Sequence, residues 1–447
     1  MIDLSQKRLN RTIITLAWPA ILENLMHTSV FIVDSIFIGS LGTLAFAAVG
    51  QSSMILFTVV FVFYGLGVAT GAVVARNLGK GERKTACEAA GQGILMGTTI
   101  GLIVAALGLV LGKDIMVLLG TEPPVVELAQ EYMPIIFGFS FLRLFIYTSS
   151  GILRAAGDTR TPMWITGIMN IYNIIADWVL IFGVGPFPEL GIMGAAIATG
   201  TAYIVGSSLL LFKIFHRKSK FRLQVSHIQK FRSDHIRTIV RISLPNVGEQ
   251  AVMQCAYFLF IGIVTSLGTT ALTAHFMTIR LEMLSFMPVF GLSIAVSTIV
   301  GQSLGAERPD IAEMAVKKAV LIGLSAMGLL GIIFVVFAGP LVSIFNPDPE
   351  VYSLAVLCIR IAALELPTSA MLMMYTGAMR GAGDTFSPML ISLFGAIFLR
   401  IGMMYFIVID QGWGLPGIWY GTALDWGIRL LIAYFLFQRG RWKKVLI

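Results

Sequence analysis

Charge is what this chain has least of. Only 13% of its 447 residues are Asp, Glu, Lys or Arg, while 57% are hydrophobic. A soluble domain carries about 25% charged and about 45–50% apolar residues, so the composition argues against a soluble enzyme or a nucleic-acid binder. Cysteine is also scarce. Cys87, Cys255 and Cys358 lie in separate apolar runs without ligand spacing, so neither a disulfide framework nor a zinc site is expected. The five His are scattered, and three of them (His216, His227, His235) sit in one basic stretch. No His-Glu-x-x-His pair is present, so a membrane-embedded metalloenzyme has no visible equipment. A cleavable leader is not expected either, because the first apolar run far exceeds a signal core of about 7–15 residues.

What is present is a succession of long hydrophobic runs. Twelve are separable, at residues 12–38, 44–75, 87–112, 129–153, 162–184, 191–215, 238–264, 271–303, 314–338, 351–379, 387–409 and 416–437. Each is long enough for a membrane-spanning helix of about 20 residues. They are continuous rather than alternating, which excludes a β-barrel. The expected class is an all-α polytopic membrane protein with twelve spans.

The net charge of +8 then acquires a different meaning. Of 32 Lys and Arg, Lys113 alone falls on the far side and five (Arg143, Arg280, Arg360, Arg400, Arg429) fall within spans, leaving 26 on the amino-terminal side. That is the positive-inside pattern, and it predicts cytoplasmic termini and an even number of spans. The densest basic stretch, residues 213–241, includes Arg217, Lys218, Lys220, Arg222, Lys230 and Arg232. It reads as a cytosolic connector touching anionic lipid, with residues 1–215, 216–237 and 238–447 as amino-terminal bundle, linker and carboxy-terminal bundle.

An internal repeat supports two bundles. Arg154-Ala-Ala-Gly-Asp-Thr-Arg-Thr-Pro-Met163 matches Arg380-Gly-Ala-Gly-Asp-Thr-Phe-Ser-Pro-Met389 at seven of ten positions, at an offset of 226. The same offset pairs Pro19 with Pro245, Glu23 with Glu249, Leu41 with Leu267 and Gly191 with Gly417. Six spans per half make parallel repeats related by an axis along the membrane normal, an arrangement built for alternating access. Asp158 or Thr159 is expected to cap the following helix with Pro162 in its first turn. Pro19 and Pro245 are expected to kink their spans.

Ionisable residues inside spans are costly and mark function by default. The second half carries Glu249, Glu282, Glu365 and Asp425 against Arg280, Arg360, Arg400 and Arg429, a balanced set that reads as a structural ion network. The first half carries Glu23, Asp34 and Asp177 against Arg143 alone. Glu23, His27 and Asp34 share one face of the first span, as do Asn170, Asn173 and Asp177 of the fifth. Asp34 and Asp177 lie roughly 8 and 10 Å from the outer ends of their spans by helix rise, level with Thr199 of the sixth. Carboxylates, an amide and a hydroxyl are hard oxygen ligands for a small cation, and two adjacent carboxylates can hold a proton between them. The bland alternative is a cluster of helix–helix hydrogen bonds. The Met-rich second half, including Met283, Met287, Met373 and Met374, offers flexible thioethers to varied ligands, although Met also simply fills membrane helices.

In order along the chain, Leu16-Ala-Trp-Pro19, Val33-Asp-Ser-Ile-Phe-Ile-Gly39, Arg154-Ala-Ala-Gly-Asp-Thr, Asn173-Ile-Ile-Ala-Asp177 and Arg380-Gly-Ala-Gly-Asp-Thr resemble the multidrug and toxic compound extrusion (MATE) family, DinF-like and archaeal branch. The resemblance covers nearly the whole chain. It implies two six-helix bundles related by pseudo-twofold symmetry and export of amphipathic, often cationic compounds against protons or sodium. It implies coupling roles for Asp34, Asn173 and Asp177, with Thr199 and Tyr132 as the matching hydroxyl residues and Glu23, His27 and Asn170 as accessories. With sodium as the coupling ion, Asp34, Asp177 and Asn173 would be its ligands. The chain departs from the NorM-like branch, whose seventh and tenth helices carry acids. Here Glu249 follows Pro245 by only four residues and the tenth-helix position falls near Ser369, so no second-half sodium site is expected. The roles of Glu249, Glu365 and Arg400 stay open. The implied protein is a monomer in a prokaryotic inner membrane, with small organic substrates and lipid as partners, no nucleic acid, no cofactor and no enzymatic activity. A lipid-linked oligosaccharide flippase of the same superfamily is the alternative, although such proteins favour a more basic cavity.

Overall fold

The computed structural model describes residues 3–216 and 221–445. Arg217, Lys218 and Lys220 of the basic stretch lie outside the described residues. Among the described residues the secondary structure is entirely helical. The elements are α1 (Leu9–Gly39), α2 (Thr43–Gly79), α3 (Arg83–Leu118), α4 (Pro123–Gly138), α5 (Ser140–Ala155), α6 (Arg160–Phe182), α7 (Gly191–Phe215), α8 (Val225–Gln229), α9 (Ser233–Ser266), α10 (Thr269–Gly305), α11 (Pro309–Val336), α12 (Ala338–Ser343), α13 (Pro349–Ala362), α14 (Glu365–Gly381), α15 (Phe386–Leu393), α16 (Gly402–Met404) and α17 (Gly414–Gln438). Proline opens α4, α11 and α13, where its missing N–H has no intrahelical partner to lose.

Nine helices among the described residues are long and apolar enough to cross a membrane, and two bent pairs bring the number to eleven. The bent pairs are where the structure departs from continuous spans. α4 and α5 meet at 42° around Phe139, and α13 and α14 meet at 43° around Ala363 and Leu364. An apolar window does not register such a break, because hydropathy averages over it. Between α15 and α17 the helix widens into π-helical turns at Phe394–Ile401 and Tyr405–Asp410, a geometry found mostly at functional sites.

The chain forms two compact units. The first comprises Met1–Ile21, Gly79–Gly81 and Leu244–Ile447, and the second Leu22–Leu78 and Glu82–Ser243. Two long helices with an internal proline, α1 and α9, have the boundary between the units within two residues of it, at Ile21/Leu22 beside Pro19 and at Ser243/Leu244 beside Pro245. The reason for the first crossing is apolar burial. Leu9, Ile13, Leu16 and Ala17 are buried in one core with Phe260, Val264, Val296 and Ile299. The second unit has its own cores, one on Leu56, Met133 and Phe137 and another on Ile94, Ile152 and Leu210. Small residues let its helices close up: a Cβ on Gly151 would lie 2.9 Å from the Gly67 carbonyl oxygen, the close backbone approach typical of membrane helices.

The Gly-Asp-Thr turn motif is built alike in both units. Asp158 accepts from the Thr161 backbone N–H at 3.0 Å and from its hydroxyl at 2.7 Å. Asp384 accepts from Ser387 in the same way at 3.1 and 2.7 Å.

Candidate functional site

The second unit gathers its polar side chains from α1, α4, α5, α6 and α7. Asp34 on α1 and Asp177 on α6 lie close enough for their carboxyl groups to interact electrostatically. Two carboxylates in one buried site repel, and one proton or one small cation relieves the repulsion. No other donor serves them: both Asp177 oxygens and Asp34 Oδ1 are buried without a partner among the described residues. Asn173, one turn before Asp177, is buried with its Nδ2 also unpartnered. The Tyr132 hydroxyl meets Ser53 Oγ at 3.3 Å and lies close enough to feel both carboxyls electrostatically. Thr199 is half-buried on α7 and has no hydrogen-bond partner among the described residues.

The proposed accessory residues are placed differently. Asn170 donates to the Met26 carbonyl at 2.7 Å, tying α6 to α1. Glu23 is not a surplus carboxylate: Arg154 Nη1 donates to it at 2.8 Å in a buried ion pair. The expectation that Arg143 alone faces three acids is therefore corrected. Arg154 belongs to the turn motif by sequence, but it is buried and its side chain reaches Glu23. His27 is half-buried, its ring 6.5 Å from that of Tyr147. Arg143 stands over the Phe57 ring at 4.5 Å and within 5.9 Å of both Tyr147 and Tyr203. It forms no ion pair among the described residues, and these rings offer it cation–π contacts instead.

The first unit repeats one of these features and replaces the other. Arg380 Nη2 donates to Glu249 at 2.7 Å and Ser392 Oγ donates to the same oxygen at 2.6 Å. This is the Glu23/Arg154 pair displaced by 226 residues. Asp425 is clamped by Arg400 at 3.2 Å and by Arg429, whose Nε donates at 2.5 Å. The expected balance of four acids with four arginines does not hold. Arg280 and Arg360 are exposed and form no ion pair among the described residues, which leaves Glu282 and Glu365 without arginines of their own. The Met surface is also trimmed. Met374 is fully buried in the core with Met373 packed against it, while Met283 is exposed and Met287 half-buried. Of the four, Met374 alone is closed to a ligand in this conformation.

Unpaired carboxyls inside helical bundles are the equipment of proton and ion relays. On a polytopic helical chain built as a tandem repeat, they define a membrane transport protein rather than a catalyst. The family follows from the sequence match: the MatE model fits residues 19–179 and again residues 245–406, starting 226 residues apart in the register of the internal repeat, and the chain belongs to this family. It is similar to the probable multidrug resistance protein NorM of Thermotoga maritima, 31% identical over 440 residues, covering 98% of this chain and 94% of that protein. A MOP superfamily transporter from Pyrococcus furiosus matches in structure with a TM-score of 0.90 at 22% identity, covering 98% of this chain and 97% of that one. A point mutant of the Vibrio cholerae MATE transporter VcmN matches at 0.90 and 24% identity, covering 97% of each chain. These structural likenesses show the fold.

Proposed function

We propose that this chain is a DinF-like, proton-coupled antiporter that exports amphipathic, cationic organic compounds, working as a monomer with twelve spans and both termini in the cytoplasm. The observation that carries the reading is the proximity of Asp177, which is buried, and Asp34, which is half-buried, two carboxyl groups without an ion-pair or hydrogen-bond partner among the described residues. Fully ionised, the pair would hold two negative charges in a low-dielectric site, a cost relieved by one proton or one cation. Two neighbouring carboxyl groups can share a single proton, which favours the proton as the coupling ion. Asn173, Tyr132 and Thr199 complete the proposed coupling region, and in a sodium-coupled variant Asp34, Asp177 and Asn173 would be the ligands. Antiport needs proton and substrate to favour different states, each shifting the equilibrium by its own differential affinity. The Thermotoga maritima relative is named a probable multidrug resistance protein, which supports drug export as the activity.

The test is Asp34→Asn. Efflux of a cationic dye from cells is expected to fall to the empty-vector rate, with membrane expression and monodispersity unchanged. Export at the wild-type rate would remove Asp34 from coupling.

A further inference from the structure

The chain between α7 and α9 is strapped onto the second unit. Phe221 and Leu223 are buried in the core of Ile94, Ile152 and Leu210. The Leu223 N–H donates to the Ile214 carbonyl at 3.0 Å, which folds the segment back on α7. The Cys87 thiol of α3 donates to the Arg222 carbonyl at 3.4 Å. Gln92, also on α3, donates to the carbonyls of His227 and Lys230 and accepts from the Arg232 N–H. Glu88, one turn earlier, pairs with Arg232 at 3.3 Å and lies 3.6 Å from His235 Nε2. The strap therefore holds a fixed inner side against α3 and presents a fixed outer side.

Its depth follows from the length of α3. This helix has 36 residues and is apolar enough to cross a membrane. It is about 54 Å long against a hydrocarbon core of about 30 Å, so about 12 Å projects at each end when it is centred. Gln92 follows the first residue, Arg83, by about 14 Å of helix rise. Gln92 thus stands at the edge of the hydrocarbon, and the strap bonded to it lies at the level of lipid headgroups.

The outer side has the chemistry of that level. Phe231 is 72% exposed, Val225 56% and Val240 41%. Lys230 directly precedes Phe231, and Arg237 and Arg241 share one face of the first turns of α9 with Val240. Lys230, Arg237 and Arg241 are exposed and form no ion pair among the described residues. The acids beside them are Asp234 and Glu88, and Glu88 is taken up by Arg232. The side is therefore net positive with apolar groups set between the bases. Exposed aromatic and aliphatic side chains at this depth gain by entering the acyl boundary. Long basic side chains reach from there to the phosphates while their stems cover apolar surface. A soluble acidic partner would match the charges, but the bilayer itself occupies the space it would need.

We propose that residues 225–241 form a docking surface for anionic phospholipid, with Phe231 seated in the acyl boundary and Lys230, Arg237 and Arg241 on the lipid phosphates. The strap thereby fastens α3 and the start of α9 to one leaflet. The surface is independent of the Asp34/Asp177 site. A bilayer with identical leaflets tests it whichever side of the membrane the strap occupies.

The test uses the full chain in nanodiscs of phosphatidylcholine mixed with phosphatidylglycerol. The photoreactive amino acid p-benzoylphenylalanine replaces Phe231, and the cross-linked products are identified by mass spectrometry. Cross-links to acyl chains are expected, with phosphatidylglycerol enriched roughly five-fold or more over its share of the bilayer. Cross-links to water or protein alone, or lipid captured in its bulk proportion, would overturn the proposal. Lys230→Gln, Arg237→Gln and Arg241→Gln combined should abolish the enrichment while lipid is still captured, with the melting temperature unchanged. Enrichment that survives this triple variant would remove those bases from the surface. In the otherwise wild-type protein, hydrogen exchange at residues 225–232 should be slower in the mixed nanodiscs than in phosphatidylcholine alone, and Phe231→Ser should cancel the difference. Equal exchange of the wild type in the two bilayers would likewise overturn the docking. Capture of a protein instead of lipid at position 231 in native membranes would replace the lipid by a protein partner and overturn it as well.

Discussion

Arg154 and Glu23 show how a single side chain can carry more of the structure than its place in a motif suggests. Both are buried, and their 2.8 Å bridge joins α5 to α1. Removing one partner of a buried pair leaves an uncompensated charge, which costs about 3–5 kcal/mol. Arg154→Ala should therefore lower the melting temperature in detergent sharply. The double variant Glu23→Gln with Arg154→Met should recover most of the loss, because neither charge is then stranded. A single variant as stable as wild type would contradict the pairing. The bridge was hidden in the sequence by location, since Arg154 reads as part of a cytosolic turn. The clue was the repeat, which keeps Glu23/Glu249 and Arg154/Arg380 at one offset with opposite charges. Asp34 and Asp177 were legible as candidates because isolated carboxyls in apolar helices have so few benign explanations. The lack of ion pairs for Arg280 and Arg360 was not, because counting charges per half cannot say which way an arginine points.

Among the elements, the breaks carry the new information. The α13/α14 bend sets Glu365 at a helix start, and the π-helical turns bring Arg400 to Asp425. Composition locates these helices but not their irregularities, which depend on packing. Gly395 shows the dependence: a Cβ there would lie 1.7 Å from Arg429 Nε. Gly395→Ala must push the guanidinium off Asp425 and is expected to destabilise the protein by about 1–3 kcal/mol, in the range for overpacking a tight site. A melting curve superimposable on wild type would count against that packing. The linker is likewise more ordered than a basic connector needs to be. Gln92 on α3 donates to the carbonyls of His227 and Lys230 at 3.1 and 3.0 Å and accepts from the Arg232 N–H at 3.3 Å. A Cβ on Gly91 would come within 2.3 Å of the His227 carbonyl oxygen. Gly91→Ala should undock α8, and hydrogen exchange at residues 225–232 should rise while the transmembrane helices stay protected. Unchanged exchange there would show that the linker is held by other contacts.

In the molecule as a whole, a tandem repeat has kept its framework and diverged in its chemistry. The turn caps at Asp158 and Asp384 and the two Glu–Arg bridges recur in both units, whereas Asp34 and Asp177 have Phe260 and Met403 at the matching positions. The repeat was legible because framework residues are constrained in both copies. The proximity of Asp34 and Asp177 was legible only as a shared depth, because their helices are brought together by folding. The central claim is that proton binding at Asp34/Asp177 drives export. Its most direct test is uptake of a cationic dye into proteoliposomes under proton and sodium gradients imposed one at a time, with wild type beside Asp34→Asn and Asp177→Asn. The account predicts uptake driven by the proton gradient alone and lost in both variants. Uptake driven by sodium at fixed pH, or proton-driven uptake that survives both substitutions, would contradict it.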